Sequence, residues 1–231
     1  MDVREDYKRQ VGEAAARLVE SGMLVGLGSG TTARFFTEAL GRALASGELH
    51  GVRGVPTSAR TERLAQSVGV PLSELPAAGV DLAVDGADEI DPALDAIKGL
   101  GGALTREKVV AAAARRFVLV ADTSKRVTRL GELAPVPVEV LRFGWLRTRA
   151  SLEWLGCEPV LRARGGEAFV TDNGNLVLDC AVTAGFDARG FAAALDALPG
   201  VVGHGLFIGL AHEALLADAE GMVALRRPAA S

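Results

Sequence analysis

The chain has few of the residues on which disulfide-rich and metal-binding proteins depend. Only two cysteines and three histidines occur among 231 residues, and Cys157 and Cys180 form no CxxC pair. Isolated cysteines are typical of reduced thiols in a cytoplasmic protein rather than of a disulfide framework. The histidines show no paired spacing on a helix, so no zinc site is predicted.

Long apolar runs and an excess of positive charge are also missing. No apolar stretch approaches the ~20 residues that a transmembrane helix needs. The N-terminal segment MDVREDYKRQ is charged and lacks the apolar core of a signal peptide. The 25 basic and 29 acidic residues are interspersed and give a net charge of −4. Because a nucleic-acid-binding protein would show a basic footprint, we expect a cytoplasmic protein that binds neither nucleic acid nor a membrane.

Glycine, in contrast, is abundant, at 28 of 231 residues. It concentrates at turns where short apolar runs change to helical spacing. Runs that are apolar on both faces indicate buried parallel strands, and their alternation with helices predicts a parallel sheet covered by helices. The predicted strands include Met23–Leu27, Gly51–Pro56, Val80–Val84 and Phe117–Ala121, and the predicted helices include Ala103–Arg116.

The pattern changes near residue 131. The segment Asp172-Asn173-Gly174-Asn175 is a strong hairpin turn signal between two strand-like runs. Strands and helices there follow the β-α-β-β-α-β order of a ferredoxin-like unit. We therefore predict an α/β protein with a Rossmann-like, parallel-sheet domain over residues 1–130 plus 205–231. A smaller ferredoxin-like α+β domain is predicted over residues 131–204. The elements predicted for it are Val136–Leu141, Trp145–Leu155, Glu158–Ala163, Ala168–Thr171, Leu176–Val182 and Asp187–Leu198, and the closing segments Gly205–Leu210, Glu213–Leu216 and Met222–Leu225 are predicted to return to the first sheet.

The densest charge lies in residues 85–108, DGADEIDPALDAIKGLGGALTREK, directly after a predicted strand. Strand ends that open into glycine-rich, charged loops are where α/β proteins place chemistry. The candidates are Asp85 and Asp88 at the strand end, Lys98 at the glycine turn and Glu107 at the start of the next helix. A carboxylate base beside a fixed cation is what proton abstraction next to a carbonyl requires.

The same acidic cluster could also hold a metal ion. An EF-hand is excluded because the alternating ligands and the glycine at the sixth position are missing. A Mg²⁺ site stays open on spacing alone, although Lys98 is nearby to supply counter-charge. We interpret Glu89, Asp91 and Asp95 as solvated loop acids or acids of a helical first turn.

A second glycine-rich loop, Gly26-Leu27-Gly28-Ser29-Gly30-Thr31-Thr32, lies between a predicted strand and a predicted helix. Its backbone N–H groups, the helix N-terminus and the hydroxyls of Ser29, Thr31 and Thr32 suit phosphate oxygens. The dinucleotide fingerprint fails because Thr31 stands where its third glycine belongs, and the P-loop fails because no Gly-Lys-Ser/Thr follows. A plain tight turn and the GxGxG loop of a methyltransferase remain alternatives.

Seven segments in order carry a resemblance to a known family: GLGSGTTA, DGADEID, KGLGGALTREK, ADTSK, PVEV, VTDNGN and GLF. Together they resemble the type A ribose-5-phosphate isomerases, from about Lys8 to Leu225. The resemblance implies a Rossmann-like catalytic domain with a smaller α+β lid or oligomerisation domain, assembled as a homodimer or homotetramer. It also implies interconversion of ribose 5-phosphate and ribulose 5-phosphate, a step of the non-oxidative pentose phosphate pathway, through a cis-enediol(ate), without a metal or organic cofactor.

The resemblance assigns roles to the residues that match its motifs. Glu107 is implied to be the general base, Asp85 and Lys98 to assist ring opening and proton traffic, and Asp88 to hold the C1 and C2 oxygens. Many family members carry glycine in place of Leu100, so a backbone contact is expected there. The residues implied to contact the substrate are Lys8, Ser29, Gly30, Thr31, Thr32, Asp85, Gly86, Ala87, Asp88, Lys98, Gly99, Leu100, Gly101 and Lys125.

Two other classes of protein compete with this interpretation. A sugar-phosphate-sensing regulator would need a DNA-binding unit before Gly26, where there is room for one helix and a strand, and would have no use for Glu107 beside Lys98. A methyltransferase would need an acidic residue at the end of its second strand. Gly54-Val55-Pro56-Thr57 supplies none. The sequence therefore favours the isomerase.

Overall fold

The computed structural model describes residues 3–183 and 185–227. Its helices are α1 Val3–Ala16, α2 Ala33–Ala45, α3 Ala59–Ser67, α4 Leu104–Ala112, α5 Trp145–Trp154 and α6 Ala188–Asp196. Its strands are β1 Leu24–Leu27, β2 Arg53–Pro56, β3 Val80–Gly86, β4 Glu89–Ile90, β5 Ala96–Ile97, β6 Ala114–Asp122, β7 Val136–Val140, β8 Glu158–Leu161, β9 Ala163–Arg164, β10 Glu167–Ala168, β11 Leu176–Ala181, β12 Val201–His204, β13 Leu206–Phe207, β14 Glu213–Asp218 and β15 Gly221–Arg226. No helix within the described ranges combines the length and apolar character needed to cross a membrane.

The chain divides into two compact units. The first comprises Met1–Ala87, Arg106–Lys125 and Leu210–Ser231, and the second comprises Asp88–Thr105 and Arg126–Gly209. The predicted domains differ mainly in that residues 88–105 group with the smaller unit. The division of roles between a catalytic domain and a lid or oligomerisation domain stays a prediction.

The first unit is built on a six-stranded sheet in the order β15-β14-β6-β3-β1-β2. All neighbouring pairs are parallel except the pair that β15 makes with β14. The apolar residues of β3 are buried on both faces, as predicted for a central strand, and α1 and α2 supply Val11, Phe36 and Leu40 to the same core. This unit confirms the prediction of a parallel sheet covered by helices.

The second unit contains a four-stranded antiparallel sheet in the order β12-β7-β11-β8, with α5 and α6 in the connections. Its β-α-β-β-α-β order confirms the predicted ferredoxin-like plan. The predicted hairpin turn is also present, because the Thr171 N–H donates to the Asn175 carbonyl and Gly174 has a φ of +82°. An apolar cluster that includes Val138, Leu152, Leu178 and Leu195 forms the core of this unit.

Two predictions of secondary structure were wrong. Helix α4 ends at Ala112, and Arg116, predicted to be helical, lies in β6, where it forms an ion pair with Glu213 of the neighbouring strand β14. The segment predicted as a strand from Gly205 does not join the first sheet. Its β13 pairs with β5 in a three-stranded sheet with β4. In both cases, pairing with residues far away in the chain decided the local structure.

Glu89 corrects the interpretation of the loop acids as solvated. Its side chain is fully buried in β4, and its carboxylate accepts hydrogen bonds from the backbone N–H groups of Gly131, Leu133 and Ala134. Asp95 is buried as well and accepts from the Gly209 N–H at 2.8 Å. These carboxylates are structural acceptors of the second unit rather than acids exposed to solvent.

Replacement of Glu89 with alanine is expected to lower the free energy of unfolding by about 2–4 kcal/mol, because three backbone donors would be left without their acceptor. Glu89→Gln should cost less, since its amide oxygen still accepts. Urea unfolding measures both values. Glu167→Ala removes an exposed acid of the same unit and should change stability by less than about 0.5 kcal/mol. Equal unfolding midpoints for the Glu89 and Glu167 alanine variants would show that the hydrogen bonds of Glu89 do not stabilise the fold.

Candidate active site

The carboxyl ends of four parallel strands meet at one edge of the first unit's sheet. Leu27 of β1 pairs with Val84 of β3 and with Pro56 of β2, and Gly86 of β3 pairs with Val120 of β6. Asp85 and Gly86 are the last residues of β3 at this edge. The glycine-rich loop, the residues after β2 and the 3₁₀ turn that contains Lys125 follow the other strands. This edge is where open α/β sheets bind ligands.

Asp85 is held at this edge by the backbone. Its Oδ1 accepts from the Ser29 N–H at 3.0 Å and from the Gly86 N–H at 2.7 Å. Gly28 makes the arrangement possible, because a Cβ at that position would lie 2.3 Å from Asp85 Cγ. The carboxylate thus takes the space that a side chain at residue 28 would fill.

A cluster of hydroxyl groups supports the glycine-rich loop. Ser29 Oγ lies within hydrogen-bond distance of the hydroxyls of Thr57, Ser58 and Thr61, at 2.9, 2.8 and 3.1 Å. Thr61 also donates to the Gly28 carbonyl at 3.1 Å. Ser58 also caps α3, because its hydroxyl accepts from the Thr61 N–H at 3.1 Å. Only the grouping of hydroxyls after β2 could have indicated Thr57 and Thr61.

The last three residues of the glycine-rich loop lie directly before the start of helix α2. Gly30 is exposed with a φ of +105°, and Thr31 beside it is exposed. Thr32 precedes α2, yet its side chain makes no capping hydrogen bond to that helix. The loop therefore presents hydroxyls and the start of a helix, the groups that suit an anion.

Glu107 lies with Asp85 on one cavity of the first unit. The cavity is too narrow to hold a water molecule, and Val110 and Phe117 are among its apolar lining residues. Glu107 lies in the first turn of α4 and is only 5% exposed, while Asp85 is 3% exposed. A first-turn acid that only complements a helix dipole would be solvated, so the burial of Glu107 beside a second carboxylate indicates a chemical role.

Asp88 and Lys98 belong to the second unit. The Asp88 N–H donates to the Ile97 carbonyl, and Asp88 Oδ2 accepts from the Leu100 N–H at 3.0 Å. Lys98 is 3% exposed, and its Nζ lies 5.3 Å from the centre of the Phe207 ring. The structure thus fixes both residues, and a buried ammonium of this kind is a candidate for proton transfer or charge stabilisation.

The turn from Lys98 to Gly102 depends on its glycines. Gly99 and Gly102 have φ values of +108° and +89°, and the Gly102 N–H donates to the Gly99 carbonyl at 3.0 Å. Leu100 is 42% exposed, so its side chain does not pack into the unit. Its N–H and carbonyl bind Asp88 and Arg162, and its contact with a substrate stays a prediction.

The predicted supporting residues are less closely tied to these groups. Lys8 is half-buried in α1, and Lys125 is half-buried in the 3₁₀ turn after β6. Gly86 ends β3, and Ala87 follows it half-buried. In the described part of the chain, no ion pair or hydrogen bond joins either lysine to the glycine-rich loop. Their contact with a ligand stays a prediction.

Another buried glutamate, Glu139 in β7, was not predicted from the sequence. Its carboxylate accepts from the hydroxyls of Thr105 and Thr171 and from the side-chain amides of Asn173 and Asn175, at 2.5, 2.8, 3.1 and 2.9 Å. Four donors occupy its oxygens, so it acts as an anchor of the hairpin turn. Glu139 lies in the motif PVEV, and three of its donor residues lie in the motif VTDNGN. Neither motif indicates these hydrogen bonds.

No group of three or more His, Cys, Asp and Glu side chains in residues 3–183 and 185–227 is arranged to hold a metal ion. The acidic segment does not form a ligand cluster, because Glu89 and Asp95 bind backbone N–H groups of the second unit instead. Independence from metal remains a prediction.

The fold and the site together are typical of α/β enzymes that act on a small anionic substrate. The family model of ribose 5-phosphate isomerase A (phosphoriboisomerase A) matches residues 53–221. The ribose-5-phosphate isomerase A of Roseiflexus castenholzii is 53% identical over 227 residues, 97% of each chain. The chain belongs to the ribose 5-phosphate isomerase A family.

Solved structures of this family have the same fold. The ribose 5-phosphate isomerase A of Methanocaldococcus jannaschii has a TM-score of 0.92 and 38% identity, covering 96% of this chain and 99% of that one. A D-ribose-5-phosphate isomerase in complex with phospho-erythronic acid has a TM-score of 0.94 and 35% identity, covering 98% and 100%. The likeness therefore extends over both units.

Gly28→Ala is expected to destabilise the first unit by about 1–3 kcal/mol, because its new Cβ would overlap the Asp85 carboxylate. Gly86→Ala is the matched control at the same strand edge. Its Cβ would meet nothing closer than 3.8 Å, so it should change stability by less than about 0.5 kcal/mol. Urea unfolding compares the two. If Gly28→Ala unfolded at the same midpoint as Gly86→Ala, the close approach to Asp85 would not constrain the fold.

Proposed function

We propose that this chain interconverts D-ribose 5-phosphate and D-ribulose 5-phosphate, with Glu107 as the general base. Membership of the isomerase family supports the reaction. One observation supports the base: Glu107 is buried and lines the same cavity as Asp85, at the edge of the sheet where the glycine-rich loop begins. Neither carboxylate has the solvated environment of a surface acid.

The proposed reaction moves one proton between adjacent carbons. Glu107 removes the proton from C2 of the open-chain aldose, and a C1–C2 double bond forms as negative charge develops on the C1 oxygen. The same carboxylate returns the proton to C1, while the proton of the C2 hydroxyl is transferred to the C1 oxygen, which leaves a ketone at C2. Such base catalysis needs a positioned carboxylate and a stabiliser for the oxyanion, and no redox cofactor.

Three further charged residues are assigned the supporting roles. We assign ring opening and proton traffic at the sugar oxygens to Asp85 and Lys98, because both are buried and able to exchange protons with hydroxyl groups. Asp88 is assigned to the C1 and C2 oxygens. The Lys98 ammonium, which is a compact charge with three donors, is suited to stabilising the enediolate.

The glycine-rich loop is the proposed phosphate anchor. The side chain of Thr32 makes no capping hydrogen bond to α2, and Gly30 and Thr31 beside it are exposed. Backbone N–H groups at a helix start bind phosphate, and Lys8 and Lys125 would add positive charge. The similar solved structure is in complex with phospho-erythronic acid, which is a phosphorylated sugar acid. Binding energy from the phosphate orients the reacting carbons.

Glu107→Gln is expected to reduce turnover of ribose 5-phosphate by about 10²–10⁴-fold, because an amide cannot accept the C2 proton. A coupled assay for ribulose 5-phosphate measures this loss. Glu62→Gln is the matched control, since Glu62 also lies in the first turn of a helix but is exposed. It should keep wild-type turnover. Near-normal activity in a folded Glu107→Gln enzyme would contradict the assignment.

The same assay tests independence from metal. Wild-type turnover should be unchanged after incubation with EDTA, since the proposed chemistry uses only side chains. Loss of activity with EDTA, restored by Mg²⁺, would overturn the metal-free mechanism. Turnover of a different aldose phosphate but not of ribose 5-phosphate would retain the chemistry and change the substrate.

We propose that the protein assembles as a homodimer or homotetramer. Phe143 is 92% exposed and Trp154 is 87% exposed, and Leu146 on the same helix α5 is also exposed. Large apolar side chains exposed on and next to one helix are candidates for an interaction site.

The double variant Phe143→Ser/Trp154→Ser is expected to shift the protein to a smaller species, because it removes apolar area from the proposed interface. Sedimentation velocity measures the shift. Arg149→Ser, on the exposed surface of the same helix, should leave the assembly unchanged. An unchanged sedimentation coefficient for the double variant would place the interface elsewhere.

We propose a cytoplasmic location from the two thiols. Cys157 and Cys180 are both unoxidised and buried in the core of the second unit. The hydrogen bond that the Cys180 S–H donates to Cys157, together with burial, raises the pKa of Cys180, so this thiol stays protonated. Buried reduced thiols with no structural disulfide fit a reducing compartment.

A further inference from the structure

We infer that Arg162 is a positioning residue that holds the peptide groups of the Lys98–Gly101 turn in place, with Asp179 fixing its guanidinium. The inference rests on the proposed function, because it concerns a turn that contains Lys98. No sequence motif drew attention to either residue. All groups involved lie in the second unit.

The guanidinium of Arg162 is clamped by Asp179 of strand β11. Arg162 Nε lies 2.8 Å from Asp179 Oδ2, and Nη2 pairs with Oδ1 of the same carboxylate. The two side chains are 11% and 22% exposed. Two parallel bonds of this kind set the plane of the guanidinium as well as its position. The backbone is anchored too, because the Arg162 N–H donates to the Val177 carbonyl at 2.9 Å.

The remaining nitrogen of the guanidinium reaches the turn. Arg162 Nη1 donates to the Gly99 carbonyl at 2.8 Å and to the Leu100 carbonyl at 3.1 Å. Two consecutive peptide groups are thus held by one nitrogen. Lysine could not replace this arrangement, since a single ammonium cannot match a carboxylate in two places and also bridge two carbonyls.

Each peptide group of the turn is oriented by these bonds. In a trans peptide the carbonyl and the following N–H point in opposite directions. The Gly99 carbonyl faces Arg162, and the Leu100 N–H on the other side donates to Asp88 Oδ2 at 3.0 Å. One peptide is therefore held from both sides, and Asp88 is coupled to it. By the same geometry the Gly101 N–H is directed away from Arg162.

The turn needs such support because of its glycines. Gly99 and Gly102 adopt left-handed backbone conformations, and glycine loses more conformational freedom on ordering than any other residue. A turn of this composition would sample many peptide orientations without an external tether. Donors and charges act best in catalysis when they are oriented before the substrate arrives. Arg162 supplies that orientation from outside the turn.

The positive charge of Arg162 is neutralised within the protein. Asp179 pairs with the guanidinium, and Nη1 of Arg162 donates to backbone carbonyls of the turn. Arg164, two residues later, stacks on the same Phe169 ring as Arg162, at 5.0 Å against 5.8 Å, and is exposed. Arg162 is thus distinguished from its neighbour by the bonds to the turn and not by its charge.

The experiment compares Arg162→Gln, Arg162→Lys and Asp179→Asn with the matched control Arg164→Gln, in the ribose 5-phosphate assay. We expect kcat to fall at least tenfold in both Arg162 variants, with KM changed less than threefold, because displacement of a catalytic group costs rate. Asp179→Asn should lower kcat in the same direction. Arg164→Gln should match the wild type.

A double variant separates positioning from general stability. If Asp179 acts only through Arg162, then Arg162→Gln/Asp179→Asn should have the kcat of Arg162→Gln within about twofold, rather than the product of the two losses. Independent losses would overturn the inference, as would wild-type kcat in a folded Arg162→Gln. If Arg162→Gln does not fold, Arg162→Lys and Asp179→Asn decide by the same criteria. A wild-type enzyme that is inactive on ribose 5-phosphate would instead overturn the proposed function. That outcome differs from a failure of the inference about Arg162, in which the wild type is active and the variants match it.

Discussion

The close approach of Gly28 to Asp85 is the contact on which the candidate site depends. Because residue 28 has no side chain, the Asp85 carboxylate can lie at the strand edge and accept from the Ser29 N–H. That bond sets the course of the glycine-rich loop, and the hydroxyls of Thr57 and Thr61 support the loop from below. The same carboxylate forms part of the cavity wall that Glu107 shares. The absence of a side chain at residue 28 therefore allows Asp85 to bind the loop and to line the same cavity as the proposed base, Glu107.

The chain uses buried acids for two purposes, and their surroundings distinguish them. Glu89 and Glu139 have their oxygens occupied by three and four hydrogen-bond donors of the second unit, so each replaces the solvation it loses on burial. Glu107 instead lies beside an apolar-lined cavity with Asp85. Burial alone would nominate all of these carboxylates as bases. The donors around Glu89 and Glu139 identify these two as anchors, and the shared cavity with Asp85 makes Glu107 the candidate base.

Sequence patterns predicted what depends on neighbouring residues and failed where distant residues decide. The apolar strand Val80–Val84 and the turn at Asp172–Asn175 are local signals, and both are confirmed. Glu89 was taken for a solvated acid because its donors, the N–H groups of residues 131–134, lie about forty positions later. Arg162 carries no local signal for its bond to Gly99, 63 positions away. Family motifs nominated the candidate residues of the site, but not the residues that hold them.

The turn at Lys98–Gly101 shows why a leucine is compatible with a glycine-rich turn. Only Gly99 and Gly102 need left-handed conformations, whereas Leu100 has no positive φ and pays no steric penalty. Its side chain is 42% exposed, and its N–H and carbonyl bind Asp88 and Arg162. The groups that matter at residue 100 are therefore backbone atoms, which every residue except proline provides. We conclude that peptide orientation, set by Arg162 and Asp88, constrains this turn more than the identity of the side chain at its tip.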